Sequence, residues 1–332
     1  MEASIADTYR RFAREEAHGR SPLYEALTAG VADDPDLLAH IADLPPAKQQ
    51  PNLFLAAARH VNGVPGSWAE FRASTLANWT EIRAVMLARS TQTNEAGRCA
   101  ALLPVLALLP QPLALLEVGT SAGLCLFPDR YAFDYGSRVV GPVDMSESTP
   151  VFPCRADAAT PLPDALPRVI WRAGLDISPL DVNDAAQMAW LETLVWPEQG
   201  DRLARLRAAV QVARADPPCI RKGDLTRDLS VIVQEAPRDA TLVVFHTAVL
   251  GYVPAQAQRD AFASEVLQLC DYWISNEAPD VFPRIAAKLD RQLTPPLFML
   301  AVNGHPVAAA HPHGATLDWI ADPPRANTGL AE

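Results

Sequence analysis

Lysine is nearly absent from this 332-residue sequence, where Lys48, Lys222 and Lys288 are the only three among 28 basic residues. Arginine carries the rest of the positive charge, and 39 acids still outnumber the bases to leave a formal charge of −11. A chain that grips a polyanion or an anionic lipid surface shows a basic face, so neither nucleic acid nor membrane is expected as a partner. Cysteine is sparse as well. Cys99, Cys125, Cys154, Cys219 and Cys270 are odd in number, widely spaced and without a CxxC pair, which argues against a disulfide framework or a paired-thiolate zinc site. No apolar signal-type run occupies Met1 to Arg20, and a cytoplasmic, reducing compartment is the expectation. An uninterrupted hydrophobic span is missing too. The apolar stretch from Cys99 to Val118 is broken by Pro104, Pro110, Gln111 and Pro112, and lipid would leave that backbone unsatisfied. It reads as a buried helix, a proline turn and a buried strand.

What is present describes a globular protein, with 49% hydrophobic and 20% charged residues. At about 150 residues per domain the length predicts roughly two domains. The first part, residues 1–112, reads as a helical cover. Ile5, Tyr9 and Phe12 stand at helical spacing, and Ser21-Pro22 and Asp34-Pro35 pair an N-cap with a proline at the first helical position. Ser67 opens an amphipathic run through Trp68, Phe71, Leu76, Trp79, Ile82 and Met86.

After Pro112 short apolar runs alternate with helical segments. Strands are expected at 113–118, 168–172, 219–221, 241–246 and 272–276, with helices at 181–195, 198–213, 224–235 and 255–269. Continuous apolar strands separated by helices predict a parallel sheet covered on both faces. Leu297 to Ile320, turning at Asn303-Gly304, predicts an antiparallel hairpin, which Pro306 and Pro312 make irregular or place at an edge. The expected fold is α/β: a doubly wound domain over 113–322, an insertion near 130–167, an antiparallel C-terminal hairpin, and a tail at 323–332.

Leu115 to Leu124 reads Leu-Leu-Glu-Val-Gly-Thr-Ser-Ala-Gly-Leu, a buried strand running into a turn of small residues. Ligands approach such turns in doubly wound sheets because backbone amides come close. The string resembles the first motif of Rossmann-like S-adenosylmethionine-dependent methyltransferases, with Glu117, Gly119 and Gly123 matching and Ser121 where the middle glycine often stands. That resemblance implies a cofactor site of Glu117, Gly119, Thr120, Ser121 and Gly123, with Asp176 on the ribose hydroxyls and Asp224 facing the adenine. It also places His246 beside the reacting centre, and the position of His246 at the carboxyl end of a central strand makes it a candidate base or substrate ligand, with Tyr252 nearby to orient it. The same turn spells G-x-S-x-G, the nucleophile elbow of serine hydrolases, with Ser121 as nucleophile and Asp280 and His311 or His313 later in chain order. Against that esterase reading, the residues after Ser121 offer less than two helical turns before Pro128. Nicotinamide binding fits least, because the spacing is not G-x-G-x-x-G and no acid ends a second strand about 20 residues on. A ligand-free turn of an ordinary α/β fold is the bland alternative.

Several further strings resemble one bacterial family, catalogued only as a domain of unknown function and common in actinobacteria and proteobacteria. They are Gln92-Thr93-Asn94-Glu95 with Gly97-Arg98, the glycine turn with Asp129-Arg130-Tyr131, Trp171 to Asp176, Asp216-Pro217-Pro218, and Phe245-His246-Thr247-Ala248. The resemblance implies a methyltransferase-like fold with a helical N-terminal part, and no particular reaction. It favours reading 92–98 as a lid whose Asn94, Glu95 and Arg98 reach over the cofactor mouth, with Arg130 beside them. The bland reading of the same segment is a Thr93 N-cap with solvated neighbours. His246 is by default a satisfied core histidine, and Glu277 either lines the same crevice or caps a helix. His311 and His313 share a strand face but have no carboxylate beside them in sequence, so no metal is expected. The expected function is binding of S-adenosylmethionine, with methyl transfer to a small-molecule or protein acceptor. The alternatives are a Ser121 esterase and a non-catalytic module that binds a nucleotide-like ligand.

Overall fold

The computed structural model describes residues 4–92 and 94–324. Thr93, the candidate N-cap, and the tail from 325 onward lie outside the described residues. The chain forms two compact units, one of residues 1–93 with 185–204 and one of 94–184 with 205–332. Residues 94–112, which the sequence pattern groups with the helical cover, thus fall in the second unit.

The first unit is helical for local reasons the sequence carries. The side chains of Ser21, Asp34 and Ser67 each accept backbone N–H groups of the next turn, and proline stands at the helix start after Ser21 and Asp34. Such caps contribute about 1 kcal/mol each. The run from Ser67 to Met86 is two helices, Trp68–Ala77 and Trp79–Ala88, parted at Asn78. Their apolar sides close on Tyr9, Leu37, Ile41, Phe54 and Trp190, the last from helix Ala185–Thr193.

The second unit is built on strands. In chain order they are β1 (Leu113–Val118), β2 (Ala132–Asp134), β3 (Val139–Val140), β4 (Val151–Pro153), β5 (Arg155–Ala156), β6 (Val169–Asp176), β7 (Cys219–Lys222), β8 (Thr241–Thr247), β9 (Tyr272–Glu277), β10 (Phe298–Val302), β11 (His305–Ala310) and β12 (Thr316–Trp319). Nine of them make one mixed sheet in the order β5-β12-β11-β10-β9-β8-β1-β6-β7. β7, β6, β1, β8 and β9 run parallel, and β10, β11 and β12 continue as an antiparallel meander. The architecture is therefore mixed α/β.

β1 is buried along its whole length, as expected of a continuous apolar run with neighbours on both sides. Ala114, Leu116 and Val118 face a cluster with Leu229, Ile232, Phe262 and Val266, so Glu117 points to the opposite face. The insertion does more than decorate the sheet. It forms a small sheet β3-β2-β4 and sends β5 to pair with β12 at the edge of the large one. Pro306 is not at an edge. It sits in β11 beside the register slip at Leu300/Ala301, where a missing N–H is tolerated.

All five cysteines are free thiols, with only Cys219 exposed. Among the described residues no helix is long and apolar enough to cross a membrane.

Strand order reverses direction at β1. β6 and β7 lie to one side of β1, and β8 and β9 to the other. In open α/β sheets ligands bind in the crevice at such a reversal, which here falls outside the carboxyl ends of β1 and β8.

Candidate functional site

The chain leaving β1 turns on residues whose φ alternates in sign. Gly119, Ser121 and Gly123 have φ of 70°, 52° and 74°. Glycine adopts this region freely, whereas serine does so only when its surroundings hold it there. Asp176, at the carboxyl end of β6, supplies much of that hold. Its Oδ2 accepts the Ser121 amide at 2.8 Å and its Oδ1 the Ser178 amide at 2.7 Å. The Ser121 carbonyl accepts the Leu180 amide at 3.0 Å. The Ser121 hydroxyl is buried and has no hydrogen-bond partner among the described residues.

Close packing explains the glycines. A Cβ on Gly119 would lie 2.1 Å from Val249 Cγ2, and one on Gly174 would lie 2.4 Å from Thr120 Cγ2. Gly174 thus lets β6 approach the turn, and Gly119 makes room for the loop after β8.

The 94–98 segment docks on this turn. Asn94 donates through Nδ2 to the Thr120 carbonyl (3.2 Å) and accepts the Leu124 amide on Oδ1 (3.3 Å). Glu95 caps the short helical turn Ala96–Arg98 by accepting the Gly97 amide, and its carbonyl accepts the Cys125 thiol. Arg98 is buried. Its Nη1 donates to the carbonyl (2.9 Å) and hydroxyl (3.1 Å) of Thr247, and its Nε to the Pro312 carbonyl (2.8 Å). Glu117 accepts the Thr120 hydroxyl at 2.7 Å. Burial pushes its carboxyl well above the usual range, Cys125 pushes the same way, and the Thr120 hydrogen bond and Arg98 pull it back only in part. The folded state therefore favours the protonated acid.

His246 lies on the other face. It is fully buried, with ring centroids 5.7 Å from Phe262, 5.9 Å from Trp273 and 6.1 Å from Phe282. Its Nδ1 is 2.7 Å from Glu277 Oε1, which also accepts the amides of Val249 (2.8 Å) and Leu250 (3.0 Å). That oxygen already accepts two backbone amides, so an Nδ1–H donating to it is the arrangement that fits, while Nε2 finds no hydrogen-bond partner among the described residues. Through Glu277 the pair fixes Val249, the residue that overlies Gly119.

The structure thus brings together Asn94, Glu95, Arg98, Glu117, Gly119, Thr120, Ser121, Gly123 and Asp176. The remaining expected residues stand apart. Asp224 comes after β7, but its carboxylate closes its own turn on the Thr226 hydroxyl (2.7 Å) and amide (2.8 Å), which hold its pKa down. Tyr252 is 78% exposed and makes no hydrogen bond to His246; Glu277 orients that ring. Arg130 is exposed between Asp129 and Asp216. Ser121 has no histidine on its hydroxyl, and the only helical piece directly after it is the short turn Leu124–Leu126. Among the described residues no group of three His, Cys, Asp or Glu side chains is placed to hold a metal ion.

Sequence reasoning passed over Thr247, Val249 and Asn276. Thr247 and Asn276 carry a faint signal, polar residues ending otherwise apolar strands, whereas Val249, in the loop after β8, carries none.

A family model described as uncharacterized protein conserved in bacteria (DUF2332) matches residues 6–319. The chain belongs to that family. No curated protein and no solved structure matches it.

Proposed function

We propose that the chain binds S-adenosylmethionine at the Gly119–Gly123 turn, in a Rossmann-like methyltransferase-type arrangement, and that the bound methyl group passes to a small molecule or a protein. The observation that carries this reading is Asp176. Its carboxylate ends the strand beside the turn, is half-buried, and spends one bond per oxygen on the Ser121 and Ser178 amides. A carboxylate has about four lone-pair sites, so each oxygen keeps room for a ribose hydroxyl.

When bound, the cofactor supplies a methyl group on a positively charged sulfur, and transfer is a displacement that depends chiefly on alignment. The chain's own part is positioning. Asp176 holds the turn and the sugar edge, Asn94 pins the turn from above, and Val249 closes the space over Gly119. His246 enters as a positioning group through Glu277 and Val249, because its ring does not reach the crevice.

Calorimetry with S-adenosylmethionine and S-adenosylhomocysteine tests the reading. Both release heat with the wild type, and Asp176→Ala weakens both at least tenfold. Absence of heat from either ligand on the folded wild type contradicts it.

The burial of His246 favours a second reading, a module that binds the ligand without transferring the methyl group. Formation of S-adenosylhomocysteine, monitored with candidate acceptors, separates the two.

A further inference from the structure

The Glu117 face of the sheet holds polar groups that neither the glycine turn nor the His246–Glu277 pair uses. Arg98 is 5% exposed and spends Nε and Nη1 on Pro312 and Thr247, while its Nη2 donates no hydrogen bond among the described residues. Its guanidinium is a fixed cation, and it enters none of the ion pairs found among the described residues. Glu117 lies near enough to feel it, yet burial favours the neutral acid there.

One strand along, Asn276 pairs in register with Thr247. Their side chains leave the same face roughly 5 Å apart. Asn276 is fully buried, and neither its Oδ1 nor its Nδ2 has a hydrogen-bond partner among the described residues. β8 and β11 are three strands apart, yet one guanidinium holds the Thr247 and Pro312 carbonyls. The turn between β11 and β12 thus comes within reach of the same guanidinium as the end of β8. A cation with no contact ion pair among the described residues, held on Thr247, and a buried amide without partners on the neighbouring strand are costly in a native fold and call for a partner.

We infer that Arg98, Thr247 and Asn276 form a subsite for a small carboxylate that carries a hydrogen-bond donor on the adjacent carbon, the chemistry shared by 2-hydroxy and 2-amino acids. The carboxylate oxygens accept from Arg98 Nη2 and Asn276 Nδ2, and the adjacent hydroxyl or ammonium donates to Asn276 Oδ1. Thr247 holds the guanidinium in place. Each unpartnered atom then acquires a partner of the right sense. The inference stands whether or not the turn binds an adenosyl cofactor.

Ligand-observed NMR titration and thermal shift on the full chain, at constant ionic strength, test it with four probes. Glycolate and glycine supply the two versions of the ligand; acetate lacks the donor and glycolamide lacks the charge. Glycolate or glycine is expected to bind at least fivefold tighter than acetate, and glycolamide not at all. The better binder names the source.

Asn276→Leu, which fills the site without polar atoms, is expected to fold and to lose at least tenfold in affinity. Thr247→Val serves as a second folded variant with weakened binding. Asp176→Ala is expected to keep the carboxylate response, which separates this subsite from the cofactor reading. Equal binding of glycolamide, no binding by glycolate and glycine, or full affinity in Asn276→Leu overturns the inference.

Discussion

Two glutamates, Glu277 and Glu117, are buried at the carboxyl edge of the sheet, at 1% and 3% exposure, yet their surroundings differ. On the aromatic face, one oxygen of Glu277 accepts from His246, Val249 and Leu250. On the other face, Glu117 accepts the single hydroxyl of Thr120, and Arg98 and Asn276 lie on that side with donors unspent. The first region has its polar groups gathered on one anchor that shapes a loop. The second keeps hydrogen-bonding capacity in reserve. Under the proposed function, recognition falls to the Glu117 side and support to the Glu277 side.

Breaking the anchor gives the largest effect. Glu277→Ala leaves three buried donors without an acceptor, at about 1–3 kcal/mol each, so urea denaturation is expected to show a loss of about 3 kcal/mol or more. Glu277→Gln, which keeps an acceptor oxygen, loses less. A loss under about 1 kcal/mol in the alanine variant, the low end for a single orphaned donor, contradicts the anchoring role.

Gly119→Ala comes next. It combines positive φ with the contact against Val249 and is expected to cost about 2–4 kcal/mol. Trimming the opposing side chain, in Gly119→Ala with Val249→Ala, recovers part of it.

The Glu117 side is sharpened by pH. A carboxyl whose folded pKa is raised contributes fully below its unfolded pKa and loses that contribution as pH rises through the folded value. Thermal melts from mildly acidic to mildly alkaline pH should therefore show the wild type falling progressively behind Glu117→Gln. Parallel curves for the two proteins refute the protonated assignment.

Smallest is Asp224→Ala. Its carboxylate serves only its own exposed turn, so stability changes by about 0.5 kcal/mol, and S-adenosylhomocysteine affinity stays within twofold of wild type. A tenfold loss would return Asp224 to the ligand site.

Much of this arrangement is legible in the chain. The strands declare themselves as apolar runs, and β1 matches its expected limits to the residue. The caps at Ser21, Asp34 and Ser67 act within three residues, so local reading finds them. The glycine turn and Asp176 stand at strand ends, where the sequence pattern already points. What escapes is long-range or depends on which face a residue takes. Arg98 looks solvated beside Glu95, and only partners 149 and 214 residues away bury it. Val243 to His246 is apolar toward both faces, so no alternation tells on which side His246 lies. The helix expected over 224–235 shortens to Leu229–Val233 because Asp224 and Asp228 build a turn first. Helix Ala185–Thr193 joins the first unit through Trp190, a contact no local pattern announces.

Hydrogen–deuterium exchange with and without S-adenosylhomocysteine tests the central claim most directly. Protection is expected in peptides covering 117–126 and 173–180, with none at 224–228. Unchanged exchange across the glycine turn, at a ligand concentration that saturates any binding heat, would contradict the assignment of that turn as the cofactor site.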